Sequence, residues 1–411
     1  MPFLPQNTHR DAGVLLTTRG IRGFVDGVVS LAITALLPML GFSGLRIGVI
    51  VTGMLLGSAA MTVLVGTKLY AVPRRTLLFA GAGLMITTGA LFGMLTSFAA
   101  LFVVGVIGTL NPTSGDVSVF LPLEQSMLAG TTPAVSRTAL YARYTFVGGL
   151  AGAAGTLAIR IPEAVAAHTA MSEETALRWC FAVYVLAGIV VLLLYRSLNG
   201  PEAAGRGTPA APLGRSRSVV YRLAMLFSLD AFGGGFVVQS MLALWLFRRF
   251  DLSVGAAGTL LFVTGTLSAA SGFVAAWLAA RIGLVRTMVF THLPANGFLV
   301  AAAFMPTMPL AVTMLVLRSL LSSMDVPART SYVMAVVSPE ERAAAASVTN
   351  VPRSLAAALP PTAAGWMLDH STFGWPLVIA GIAKAIYDLL LLRQFRHVRP
   401  EEERQSPQGA R

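Results

Sequence analysis

The stretch LRIGVIVTGMLLGSAAMTVLVGT, residues 45–67, decides the fold. It carries one charge, Arg46, near its start and is apolar or small for the rest of its length. At 1.5 Å per residue a helix of this length spans roughly 34 Å, enough to cross a hydrocarbon core of about 30 Å. A soluble protein has no use for a helix that is greasy all round, whereas a bilayer requires one.

Working outward, similar runs recur at 17–40, 76–95, 98–121, 137–160, 177–196, 220–247, 254–279, 285–305, 308–328, 343–366 and 374–395, giving twelve expected spans. The whole composition agrees: 55% of the 411 residues are hydrophobic and 12% are charged. That charge fraction is about half the usual quarter of a soluble chain, and mean hydropathy is +0.73. Several soluble domains are therefore excluded, and so is disorder. The single Cys180 excludes a disulfide framework, and no Cys/His spacing suits zinc. The first ten residues hold Pro2, Pro5 and Arg10 without a short apolar core and cleavage site, so the first span is expected to stay in the chain.

Connections are short except at 161–176 and 197–219. The second of these is rich in Gly, Pro, Ala and Arg and falls midway, with six spans on each side. This predicts a bundle over 1–196, a cytoplasmic linker over 197–219, a second bundle over 220–396 and a cytoplasmic tail over 397–411. Most lysines and arginines fall on one side of the alternating segments. The other side keeps only Arg46, Arg160, Arg178, Arg248 and Arg249. Positive charge marks cytoplasmic loops, so both termini are expected inside a plasma or inner membrane. The net charge of +12 then needs no nucleic-acid partner.

An internal repeat has an offset of 205: Pro122 matches Pro327, Ser126 matches Ser331, Arg137 matches Arg342 and Ala139 matches Ala344. Two matched sets of six spans, a central basic linker and both ends inside resemble the major facilitator superfamily of secondary transporters. The stretch from Gly66 through Lys68, Tyr70, Pro73, Arg74 and Arg75 is similar to that family's loop between helices 2 and 3. It keeps the arginine pair, with Tyr70 where the family has Asp. The second copy keeps Arg281, Gly283 and Arg286 and also lacks the Asp. The resemblance implies an all-α membrane protein of twelve helices in two pseudo-symmetric bundles. It also implies cytoplasmic gating loops carrying Arg74, Arg75, Arg281 and Arg286.

Charges inside a membrane are costly and usually serve function. Asp26 and Asp230 lie in the first span of each half, Asp116 and Asp325 late in the fourth. By the resemblance, those helices line a central cavity. Arg22 stands four residues before Asp26, and Arg318, Ser322, Asp325 and Arg329 form a helical stripe, so Asp26 and Asp325 are expected to be salt-bridged. Asp116 and Asp230 have no arginine at helical spacing. An unpaired carboxyl in an apolar setting resists ionisation, as a proton carrier must, so these two are the proton-coupling candidates. The alternative is permanent neutralisation by Arg143 or Arg353. Those two arginines, with Asn350 beside Arg353, are candidates for holding an anionic substrate or locking an aspartate. Lys384 and Asp388 read as a structural pair, His292 as a hydrogen-bonded helix residue, and Glu124, Glu340 and Glu341 as cytoplasmic loop residues. Asn111, Pro112 and Thr113 offer a broken-helix wall toward substrate. Tyr144 and Gln239 are candidate hydrogen-bonding residues in the same cavity.

No H-E-x-x-H and no P-loop is present, so no enzyme, cofactor or metal is expected. The leading expectation is proton-coupled efflux, by antiport, of small amphipathic or toxic compounds. The alternative is transport or exchange of small organic or inorganic anions on the embedded arginines. Expected partners are a small-molecule substrate, protons and the lipid bilayer, with the chain acting as a monomer.

Overall fold

The computed structural model describes residues 4–5, 8–69, 71–113, 118–133, 136–199, 213–214, 216–337 and 341–395. Among these the regular structure is helical. Ten helical stretches are long and apolar enough to cross a membrane, and they coincide with ten of the expected runs.

The other two runs, 98–121 and 343–366, are interrupted. In the first, a helix ends at Ile107 and the next begins at Phe120. Between them the Asn111 side chain accepts hydrogen bonds from the Thr113 amide (2.9 Å) and hydroxyl (2.7 Å), closing a turn around Pro112. In the second, helices over Arg342–Ala358 and Pro360–His370 meet at Leu359, where Pro360 and Pro361 open the new helix.

The chain forms two compact units, Met1–Pro209 with Val238–Phe262, and Ala210–Val237 with Val263–Arg411. Unit 1 contains α1 (Arg10–Met39), α2 (Gly44–Thr67), α3 (Arg74–Met94), α4 (Phe98–Ile107), α5 (Phe120–Leu128), α6 (Arg137–Ala158), α7 (Arg160–His168) and α8 (Glu173–Arg196). Unit 2 opens with α9 (Arg217–Gly235), which ends in the three glycines Gly233, Gly234 and Gly235. The chain then returns to unit 1 as α10 (Gln239–Phe250), and α11 (Val254–Ile282) straddles the division. The rest of unit 2 is α12 (Leu284–Phe304), α13 (Met308–Leu321), α14 (Asp325–Ala335), α15 (Arg342–Ala358), α16 (Pro360–His370) and α17 (Trp375–Phe395).

Local signals set the boundaries. Ser43, Ser97 and Ser172 cap α2, α4 and α8 with their hydroxyls, and Glu173 and Glu174 add negative charge at the α8 N-terminus. Gly283 takes φ 87° between α11 and α12, a conformation open to glycine. Glu341 accepts from the Gly214 (2.8 Å) and Ser216 (3.1 Å) amides just ahead of α9, so this loop glutamate anchors a helix start.

The same internal pairing recurs in each unit. In unit 1, α1 packs on α6 and α3 on α8; in unit 2, α9 packs on α15 and α12 on α17. The α1–α6 contact is backbone to backbone, because Gly27 faces the Gly152 carbonyl and Gly155 faces the Phe24 carbonyl with no room for a methyl group. Each unit has its own apolar core, built around Leu15, Leu78, Phe120 and Val191 in unit 1 and around Leu223, Phe227, Met288 and Leu391 in unit 2.

Candidate functional site: two buried charge clusters

In unit 1 the cluster centres on Glu124, the fifth residue of α5, which is 0% exposed. One carboxylate oxygen accepts from the Thr18 hydroxyl (2.9 Å) and the Tyr195 hydroxyl (2.6 Å). The other accepts from Arg22 and from Tyr144. Four donors from three helices, α1, α6 and α8, saturate this carboxylate. The Arg22 guanidinium also lies 4.1 Å from the centre of the Phe120 ring, and that of Arg19 lies 5.4 Å from the centre of the Tyr144 ring.

This corrects one reading of the sequence. Glu124 is a buried anchor and no loop residue, because the helix after the 108–113 break turns its fifth residue inward. Arg22 ion-pairs with Glu124 across 102 residues. Asp26 is itself buried. Tyr144 is fully buried and spends its hydroxyl on Glu124.

Other candidates in unit 1 are dispersed. Gln239 donates to Ser30 (2.9 Å), and the Pro112 carbonyl, freed from helix geometry, accepts from the Ser240 amide (3.3 Å). Asn111 is buried and Arg143 bonds back to the Ala139 carbonyl (3.2 Å). Arg75 donates to the Arg196 carbonyl (2.7 Å) at the end of α8, a favourable place for a cation, and Arg74 shares its helix start. Asp116 lies outside the described residues.

Unit 2 holds the richer cluster. Asp230, in α9 and 4% exposed, receives Lys384 of α17 at 2.7 Å and Arg329 of α14 at 3.3 Å. Arg329 also reaches Asp325 at 3.3 Å, one helical turn before it. On the far side of Lys384, Asp388 is bonded by His292 Nδ1 (3.0 Å) and by the Asn296 amide (2.9 Å). His292 Nε2 lies 3.8 Å from Asp230 Oδ1.

The aspartate with no arginine at helical spacing is thus surrounded by cations from other helices, and neither Arg143 nor Arg353 supplies a hydrogen bond to it. Lys384 and Asp388 do not pair with each other as their spacing suggested, because each turns to a different neighbour. His292 and Asn296, a turn apart on α12, belong to the cluster; a buried histidine and amide on one helical face were the signal for it. Arg318 and Arg353 each keep a buried Nε without a hydrogen-bond partner among the described residues. Asn350, Arg281 and Arg286 are exposed, with the Arg281 guanidinium 4.0 Å from the Trp277 ring centre.

Each unit therefore buries a carboxylate that an arginine reaches from another helix. Residues 223–411 match the family model of the Major Facilitator Superfamily. The ten long apolar helices mark a multi-pass membrane protein. Its fold matches solved transporters over almost its full length. A bacterial homolog of the human lysosomal transporter Spinster, inward-facing and occupied, aligns with TM-score 0.69 at 17% identity, covering 96% of this chain and 98% of that one. The human organic anion transporter MFSD10 aligns with TM-score 0.67 at 17% identity over 92% and 99%. The E. coli xylose transporter XylE, inward open, aligns with TM-score 0.70 at 14% identity over 93% and 96%. In sequence, an uncharacterized membrane protein of Saccharomyces cerevisiae is 22% identical over 94% of both chains.

Proposed function

We propose that this chain is a transporter of the major facilitator type, that it couples solute movement to protons and that Asp230 is the coupling carboxylate. The observation that carries this reading is the position of Asp230 between Lys384 and Arg329, buried within unit 2. A buried carboxylate stays ionised because its cations compensate it, and a proton on it leaves those cations uncompensated. Protonation therefore releases Lys384 and Arg329 to new partners, which is the local change an alternating-access cycle needs. Asp116 is the second candidate for the same role.

Efflux of small amphipathic compounds by antiport, from a plasma or inner membrane with both termini inside, is the cargo reading that the apolar composition supports. A second reading, transport of small anions, is favoured by Arg318 and Arg353. They are embedded guanidiniums with a spare Nε, while every carboxylate of the unit 2 cluster is already engaged.

Two measurements test these readings. Proton movement in proteoliposomes under a substrate gradient is expected for the wild type and absent for Asp230→Asn; equal proton movement in both rejects Asp230. Melting temperatures of purified protein against cationic drugs, organic anions and sugars separate the cargoes. Stabilisation by organic anions alone selects the second reading.

A further inference from the structure

The geometry points to His292 as a proton relay between two buried carboxylates, Asp230 and Asp388, so that unit 2 holds its proton at either of two linked sites. This rests on Asp230 being the coupling carboxylate and extends it to a second station.

The imidazole stands between the two acids. Its Nδ1 is 3.0 and 3.1 Å from the two Asp388 oxygens, and its Nε2 is 3.8 Å from Asp230 Oδ1. A ring that merely filled space would need one partner, whereas this one presents a different nitrogen to each carboxylate. Asn296 fixes the far side by donating to Asp388 Oδ2 at 2.9 Å. Asp388 is 0% exposed and His292 4% exposed, so a proton at Asp388 reaches other charged groups through the ring.

Among the groups in direct contact, Asp230, Asp325 and Asp388 oppose two permanent cations, Lys384 and Arg329. A proton on His292 or on a carboxylate makes up the difference. The groups acting on the ring are Asp388 and Lys384 from α17, Asp325 from α14 and Asp230 from α9, with the Tyr387 ring of α17 at 6.1 Å between centroids. The buried Tyr387 hydroxyl has no hydrogen-bond partner among the described residues and adds a protic group beside the relay.

The step balances without any added reagent. The Asp230 carboxyl gives its proton to Nε2 while Nδ1–H gives its own to Asp388. One O–H and one N–H bond break, one N–H and one O–H form, and the imidazole ends neutral in its other tautomer. The negative charge moves from Asp388 to Asp230, where Lys384 and Arg329 receive it.

The test uses full-length protein carrying isotope-labelled histidine, with the His292 ring signal assigned by its loss in His292→Gln. Its protonation is followed by NMR from about pH 5 to about pH 9. The relay predicts that Asp230→Asn and Asp388→Asn each displace the titration by about half a pH unit or more, since both carboxylates couple to one ring. A His292 profile identical in wild type and Asp230→Asn overturns the relay and leaves only a His292–Asp388 pair. If Asp230→Asn does not fold, Asp230→Glu shifts the carboxylate by one methylene and poses the same comparison. No substrate enters this measurement, so it can fail while Asp230 still proves necessary in the proteoliposome assay, or succeed while that assay fails.

Discussion

Arg329 follows Glu124 by 205 residues, the offset of the sequence repeat, and the two carry opposite charges at the fifth position of matching helices. Glu124 holds Arg22 of α1; Arg329 holds Asp230 of α9. Each unit therefore ties its opening helix to one of these matching helices by a buried ion pair, with the polarity reversed. The helices themselves start at the same offset, Phe120 against Asp325 and Arg137 against Arg342. A repeat that keeps the pair while exchanging its signs is constrained by pairing as such.

The first prediction concerns that pairing in unit 1. Glu124→Ala leaves Arg22 buried and uncompensated and strips partners from Thr18, Tyr144 and Tyr195. Breaking a buried pair by removing one partner costs about 3–5 kcal/mol, so the folded yield and melting temperature of the purified protein should fall sharply. Tyr195→Phe removes one of the four donors and should cost about 1–2 kcal/mol. A Glu124→Ala protein that melts with the wild type would show that the cluster carries no stability.

A second prediction separates the two clusters by function. Glu124 is saturated and Asp230 is the proposed coupling carboxylate, so Glu124→Gln should retain the pH profile of transport while Asp230→Asn flattens it. Initial rates across a pH series in proteoliposomes decide the matter. A flattened profile in Glu124→Gln would move the coupling site to unit 1.

Lys384 gives a third. Lys384→Met and Asp230→Asn remove the two ends of one contact, so their effects on melting should be far from additive. Contacting groups in a buried network couple by about 0.5–3 kcal/mol. Additive losses would mean that the 2.7 Å contact contributes nothing in the membrane.

The fourth tests close helix approach. A methyl group at Gly27 would stand 2.1 Å from the Gly152 carbonyl oxygen, whereas one at Gly149 meets nothing within 4 Å. Forcing extra volume into a packed contact costs about 1–3 kcal/mol, so Gly27→Ala should melt lower. Gly149→Ala should be neutral or better, since Ala favours the helix by up to about 1 kcal/mol. Equal melting of the two variants would show that α1 and α6 separate at little cost.

Much of this was legible in the chain. Hydrophobic run length gave the spanning helices because a bilayer admits few other solutions, and the repeat marked the equivalent positions. The site was legible only as an inventory: Asp26, Asp230 and Asp325 stood out as embedded acids. Their partners did not. Helical spacing proposed Lys384 with Asp388, and the fold instead brought Lys384 to Asp230 and Asp388 to His292; it also brought Arg22 to Glu124, which no local spacing suggested.

The residues alone pointed to a two-part helical membrane protein with scarce buried charge, because hydropathy and charge cost act on each segment independently of its neighbours. Only the tertiary structure decided which charge answers which. An ion pair between helices depends on how those helices rotate and slide when their small-residue faces pack, and that geometry is written in no single segment.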